Sequence, residues 1–144
     1  MSSHAHGAAA VTAALLEAAV LVEQAGIGDL VVTCYDGRAS ITITRQCGDA
    51  RSRAALAAAL ALRAGAPGCR RVDFAGEHGP AAWLEATAGE TEIEITAHLV
   101  VTMTPGGPLA AGPDGQHAVI SAGQPLPDGW RWVTDLDGDL GEAA

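Results

Sequence analysis

The sequence predicts an α+β fold, a two-layer sandwich in which an antiparallel sheet carries two helices on one face. Three observations carry that prediction. From Asp29 to Thr104 the apolar pattern alternates at the strand period, changes once to the helix period, and alternates again. Asp36-Gly37 sits between two alternating runs, a strong short-range hairpin signal. A separate helix-period segment comes first, and each period fixes which side chains must find an apolar partner. The predicted order is α-β-β-α-β-β-β with a Pro/Gly-rich C-terminal arm. Residues 1–7 are expected to be a disordered lead-in, 8–104 the α+β domain, and 105–144 the arm, with a Trp anchor and an acidic tail, packed on the same domain.

The first helix spans about Ala8 to Ala25, where Val11, Leu15, Ala19 and Val22 fall on helical rows, and Gly26 and Gly28 stop it. Leu30, Val32 and Cys34 alternate with Val31, Thr33 and Tyr35. After Asp36-Gly37, Ile41 and Ile43 alternate with Ser40, Thr42 and Thr44. The second helix opens at Gly48-Asp49, where the Asp49 carboxylate caps free N–H groups, and runs to Gly65-Ala66-Pro67. Three strands follow, around Arg70–Ala75, Ala81–Ala88 and Glu92–Met103, with turns at Gly76–Pro80 and Gly89-Glu90. In the last strand Ile93, Ile95, Ala97, Leu99 and Val101 take one side and Glu92, Glu94, Thr96 and His98 the other, as in a strand with one buried face. Five of the seven prolines lie between Pro105 and Gly129, so that segment reads as a long ordered loop or a partly mobile arm with Val119-Ile120 its one added strand. Trp130 and Trp132 share a side of an extended segment and anchor the tail.

Composition closes several doors. At 144 residues the chain buries a core without disulfides or a structural metal. With 49% hydrophobic but only 3% aromatic residues, that core must be built from Ala, Val, Leu and Ile. All eight basic residues are Arg, so amine chemistry through lysine is excluded. Cys34, Cys47 and Cys69 lack the spacing of a zinc site or a disulfide framework. The first residues lack a secretory pattern, and Glu17 and Glu23 interrupt the apolar first helix, so a soluble cytoplasmic protein without membrane association is expected. The net charge is −9, unevenly distributed. Residues 29–72 hold seven Arg against three acids, and residues 73–144 hold twelve acids against Arg131 alone. Either oppositely charged strands pair across the sheet, or the surface is dipolar and steers a charged partner.

If both helices cover one sheet face, the other meets water or a partner. The partner-binding candidates on that face are Tyr35, Thr42, Thr44, Arg71, Trp83, Glu85, Glu92, Glu94 and His98, with Trp83 and Tyr35 the aromatic anchors on a Thr-rich surface. The competing reading is a plain solvated face with the arm covering Trp83. Cys47, just ahead of the second helix and two residues after Arg45, is the one candidate nucleophile, with His78 or His98 as potential bases, against an inert or capping thiol. Asp135, Asp137 and Asp139 lack the oxygen spacing of a calcium loop, and no phosphate loop, dinucleotide fingerprint or nucleophile elbow is present. No cofactor or metal site is therefore expected. Direct nucleic-acid binding is disfavoured by the charge of −9.

From Ser40 to Thr104, the order Ile41-Thr42-Ile43, Gly48-Asp49-Ala50-Arg51, an Ala/Leu helix ending Ala64-Gly65-Ala66, then Trp83-Leu84-Glu85-Ala86-Thr87-Ala88-Gly89 and a further alternating strand resembles small uncharacterised proteins of Streptomyces-type actinomycetes, often carried on plasmids or integrated elements. The resemblance implies a fold-level pattern and a mobile-element context, and assigns no functional residue. Taken together, the residues predict a small noncatalytic binding or regulatory protein that uses its open sheet face for protein–protein contact, self-association included. One alternative is an acidic nucleic-acid mimic that inhibits a DNA-binding enzyme. Another is a small-ligand pocket or a cysteine-dependent enzyme.

Overall fold

A computed structural model describes residues 8–25, 30–35, 38–88, 93–121 and 123–137. The lead-in at 1–7, the helix stop at Gly26 and Gly28, the Asp36-Gly37 and Gly89-Glu90 turns, Glu92 and the end of the acidic tail lie outside these residues. The elements are α1 (Ala8–Ala25), β1 (Val31–Tyr35), β2 (Arg38–Ile43), α2 (Ala50–Arg63), β3 (Arg70–Gly76), β4 (Gly79–Ala88), β5 (Ile93–Leu99), β6 (Met103–Thr104), β7 (Gly107–Ala111), β8 (His117–Val119) and β9 (Arg131–Trp132). Through β5 this is the predicted α+β order. The larger sheet runs β1-β2-β5-β4-β3. Its β1–β2 pair is antiparallel, but β2 and β5 run parallel, with Ile41 beside Ile95 and Ile43 beside Ala97. The two strands with the cleanest alternation thus share the middle of the sheet, where burial of one face is greatest.

The chain forms two compact units, residues 1–70 with 84–98, and 71–83 with 99–144. In the first, α1 packs on β1 and β2, and α2 packs on β2 and on α1. Their shared core holds Ile41, Ile43, Ile93, Ile95 and Leu60, each worth about 1.5–3 kcal/mol on burial. Eight of the thirteen buried residues in this cluster are Ala, so layers approach closely but each residue removes little apolar area from water. Asp49 caps α2 as expected, its Oδ1 accepting the Ser52 N–H at 2.8 Å. The helix ends at Gly65, whose φ of +87° lets the Ala66 N–H turn back to the Ala61 carbonyl at 2.9 Å.

In the second unit the segment expected to be a loop or arm makes a small sheet instead. β7 pairs with β6 and β8, and β9 joins β7 with Ala110 opposite Trp132. Of the expected Val119-Ile120 strand only Val119 lies in β8. The long strand predicted over Glu92–Met103 ends at Leu99, because the Val100 N–H is accepted by the Asp135 carboxylate at 2.9 Å and the Thr102 N–H by the Val133 carbonyl at 2.7 Å. Gly107, at φ +134°, leaves no room for a side chain, since a Cβ there would meet the Ile120 carbonyl oxygen at 2.9 Å.

Of the two tryptophans expected to anchor the tail, Trp130 is half-buried and Trp132 fully so. The Trp132 indole N–H donates to the Phe74 carbonyl at 2.9 Å, and the Trp132 backbone N–H donates to Asp73 at 3.0 Å. Arg71 grips Asp73 with two bonds of 3.0 and 3.1 Å and donates to the Trp132 carbonyl at 2.6 Å.

Candidate functional site

The register of β1, β2 and β5 builds the candidate surface. Because Ala39, Ile41 and Ile43 point into the core beside Ile93, Ile95 and Ala97, the residues between them point away from it. Ser40 therefore lies beside Glu94, and Thr42 beside Thr96. β1 adds Thr33 opposite Ser40 and Val31 opposite Thr42. Two rows result, Val31-Thr42-Thr96 and Thr33-Ser40-Glu94, with neighbouring strands about 4.8 Å apart. In β4, Leu84 and Ala86 pack on the core, so Glu85 and Thr87 take the polar side. Arg70 reaches Glu85, Nε to Oε2 at 2.9 Å. That ion pair is the cross-strand pairing expected from the charge distribution, and with Arg70 mostly exposed it adds little stability.

The sequence-predicted candidates distribute as follows. Thr42, Glu85 and Glu94 are half-buried on this face of the first unit. Tyr35 closes β1 opposite Arg38, and its side chain, like Glu92, lies outside the described residues. Thr44 falls just past β2 at the start of a short 3₁₀ turn, Arg45–Cys47. With Arg45, Gln46 and His98 it lines a cleft of about 640 Å³. Arg71 and Trp83 belong to the second unit. Trp83 stacks at a tilt on Phe74, ring centres 6.4 Å apart.

Arg71 corrects the strand parity. The side chain that meets Glu85 is Arg70, while Arg71 and Asp73 turn to the other side of β3 and hold Trp132. Val72 and Phe74 carry the apolar parity of β3, but Phe74 is half-exposed, and it is Arg71 and Asp73 that meet the Trp132 backbone. Alternation places Thr33 on this face, whereas Ser40 and Arg70 are polar-face residues that the sequence-based set lacks. The same alternation that marks Thr42 marks Ser40, whereas nothing in the sequence distinguishes Arg70 from Arg71.

Arg53 is a buried cation on α2. Its Nε donates to the His98 carbonyl at 3.2 Å and Nη1 to the Gly48 carbonyl at 2.8 Å, which ties the first turn of α2 to the end of β5. Cys47 packs against the core, with Sγ 3.9 Å from the Thr44 hydroxyl. None of the three cysteines forms a disulfide. Burial pushes the Cys69 thiol above its ordinary pKa, which lowers its thiolate fraction. His78 is exposed in the β3–β4 turn, 3.5 Å from Glu77. Among the described residues, no group of three His, Cys, Asp or Glu is arranged to hold a metal, and no helix is long and apolar enough to cross a membrane.

Comparison with protein-family models, curated proteins and solved structures finds no match.

Proposed function

We propose that this protein is a noncatalytic binding module that recognises a protein partner on the polar face of its first-unit sheet. The supporting observation is the in-register set Thr33, Ser40, Thr42, Glu94 and Thr96, borne on three adjacent strands whose opposite face is packed with Ile and Ala. Short hydroxyl side chains on a stiff sheet offer hydrogen bonds at a fixed spacing and lose little rotamer entropy on contact, and Glu94 supplies the charge that orients a partner. The acidic-mimic reading draws less support. Asp73, Asp135 and Asp137 spend carboxylate oxygens on Trp132, Val100 and Thr134, so these charges hold the fold together.

Affinity capture from native lysate tests the proposal with two baits, the wild-type chain and Thr96→Arg. A partner retained by the first and lost by the second, at unchanged melting temperature, supports it. Identical sets of retained proteins, or none with either bait, contradict it.

A further inference from the structure

We propose that two copies of this chain associate through the free edge of β1, which joins their first-unit sheets about a two-fold axis at Thr33 and packs α1 on its symmetry mate. This seam runs along the strand edge and the helix layer and meets the polar face only at Val31 and Thr33, so the inference goes beyond the binding role.

Backbone geometry makes the edge self-complementary. β1 ends the strand order, and its register with β2 pairs Tyr35 with Arg38 across two intervening residues. A closing pair of that kind exchanges hydrogen bonds, and the pattern alternates along the ladder. Tyr35, Thr33 and Val31 therefore spend their N–H and C=O groups on β2, and those of Val32 and Cys34 point outward. An antiparallel second copy centred on Thr33 sets Val32 of one chain against Cys34 of the other, twice. All the outward groups of these residues then find partners, and the two Thr33 residues form the non-hydrogen-bonded pair between them.

The edge also lacks the devices that normally block such pairing. Val31–Tyr35 has no charge, proline or glycine, whereas β3, at the other end of the order, carries Arg70, Arg71 and Asp73. Val31 and Val32 are 48% and 38% exposed.

The helix layer fits the same axis. A two-fold normal to the sheet keeps both α1 helices on one side of it. Each α1 packs on β1 and more extensively on β2, so their axes lie two or more strand spacings apart, roughly 10 Å or more, at the outer end of the ~8–10 Å of packed helices. On α1, Leu15, Leu16 and Val20 are 44%, 63% and 48% exposed. Together with Val32, which lies on the same side of the sheet, they offer roughly 350 Å² of apolar surface per copy, somewhat under half of the ~800 Å² that a stable dimer buries on each partner. The strand backbone, Thr33 and the exposed Thr12 and Ala19 extend the area. The occupant is therefore a second copy of this chain.

Sedimentation velocity on the full chain over a dilution series tests this. A dimer that dissociates on dilution is expected. Leu16→Glu should raise its dissociation constant by roughly tenfold or more, because two carboxylates would be desolvated in the seam. Thr33→Cys should give a reducible cross-linked dimer under mild oxidation, since a non-hydrogen-bonded pair places the two Cα atoms ~4.5 Å apart, within disulfide range. Thr96→Arg, on the polar face, should leave the dimer intact, which separates this proposal from the binding role. A monomer at every concentration overturns the proposal, as does a dimer that Thr33→Cys fails to cross-link.

Discussion

Asp49 holds the start of α2, and its chemistry gives a pH signature. The Ser52 N–H that it accepts stabilises the carboxylate and lowers its pKa from the ordinary 3.8, with Arg53 and Arg51 adding a smaller push. The folded value lies below the unfolded one, so the stabilisation is complete above about pH 3.8 and is lost as pH falls through the folded value. Asp49→Ala is expected to lower the urea midpoint at neutral pH and to flatten its fall in acid. Asp49→Asn, which keeps an acceptor oxygen, is expected to restore part of the midpoint without the pH dependence. Arg53 makes a second case. Arg53→Met keeps the stem but removes the donors to the Gly48 and His98 carbonyls, at a cost of about 1–3 kcal/mol by urea unfolding. The Asp49 cap was legible because an acid between a glycine and an alanine-rich run has one obvious use. The role of Arg53 was not, since a buried and an exposed arginine on a helix read alike until their neighbours are known.

Among the elements, those whose burial follows from their own pattern were legible and those fixed by a distant partner were not. β5 shows its buried face in its own alternation, as α2 shows its ends in its caps. β3 has apolar residues on one parity and an Arg–Asp pair on the other, and what decides between them is Trp132, about sixty positions along the chain. β7 and β9 escaped notice because Gly107-Pro108 and a two-residue strand carry almost no period of their own. The same contacts separate two tryptophans that look equivalent in the sequence. Trp132→Ala, which empties a buried site and strands the Phe74 carbonyl, is expected to cost about 3–5 kcal/mol by urea unfolding. Trp130→Ala, at a half-buried site, is expected to cost clearly less.

At the scale of the whole molecule, charge distinguishes the modes of association. Each copy carries −9, so self-association through the uncharged β1 edge works against mutual repulsion. Added salt screens that repulsion and is expected to tighten the dimer in sedimentation runs, whereas a phosphate-mimicking contact with a basic partner would weaken. The fold class was legible in the chain and the identity of a partner was not, because a sheet face of Thr, Ser and Glu specifies hydrogen-bonding capacity and spacing but no unique ligand. What the binding role requires is that this face be open while its reverse is sealed by the helices. Thiol labelling of two single-cysteine chains, Thr96→Cys and Ala97→Cys, each with the native cysteines replaced by alanine, measures that directly. Position 97 is fully buried and its neighbour is not. The account predicts that Ala97→Cys reacts at least ~100-fold more slowly than Thr96→Cys, because it must wait for the sheet to open. Equal rates, or faster reaction at 97, would contradict it.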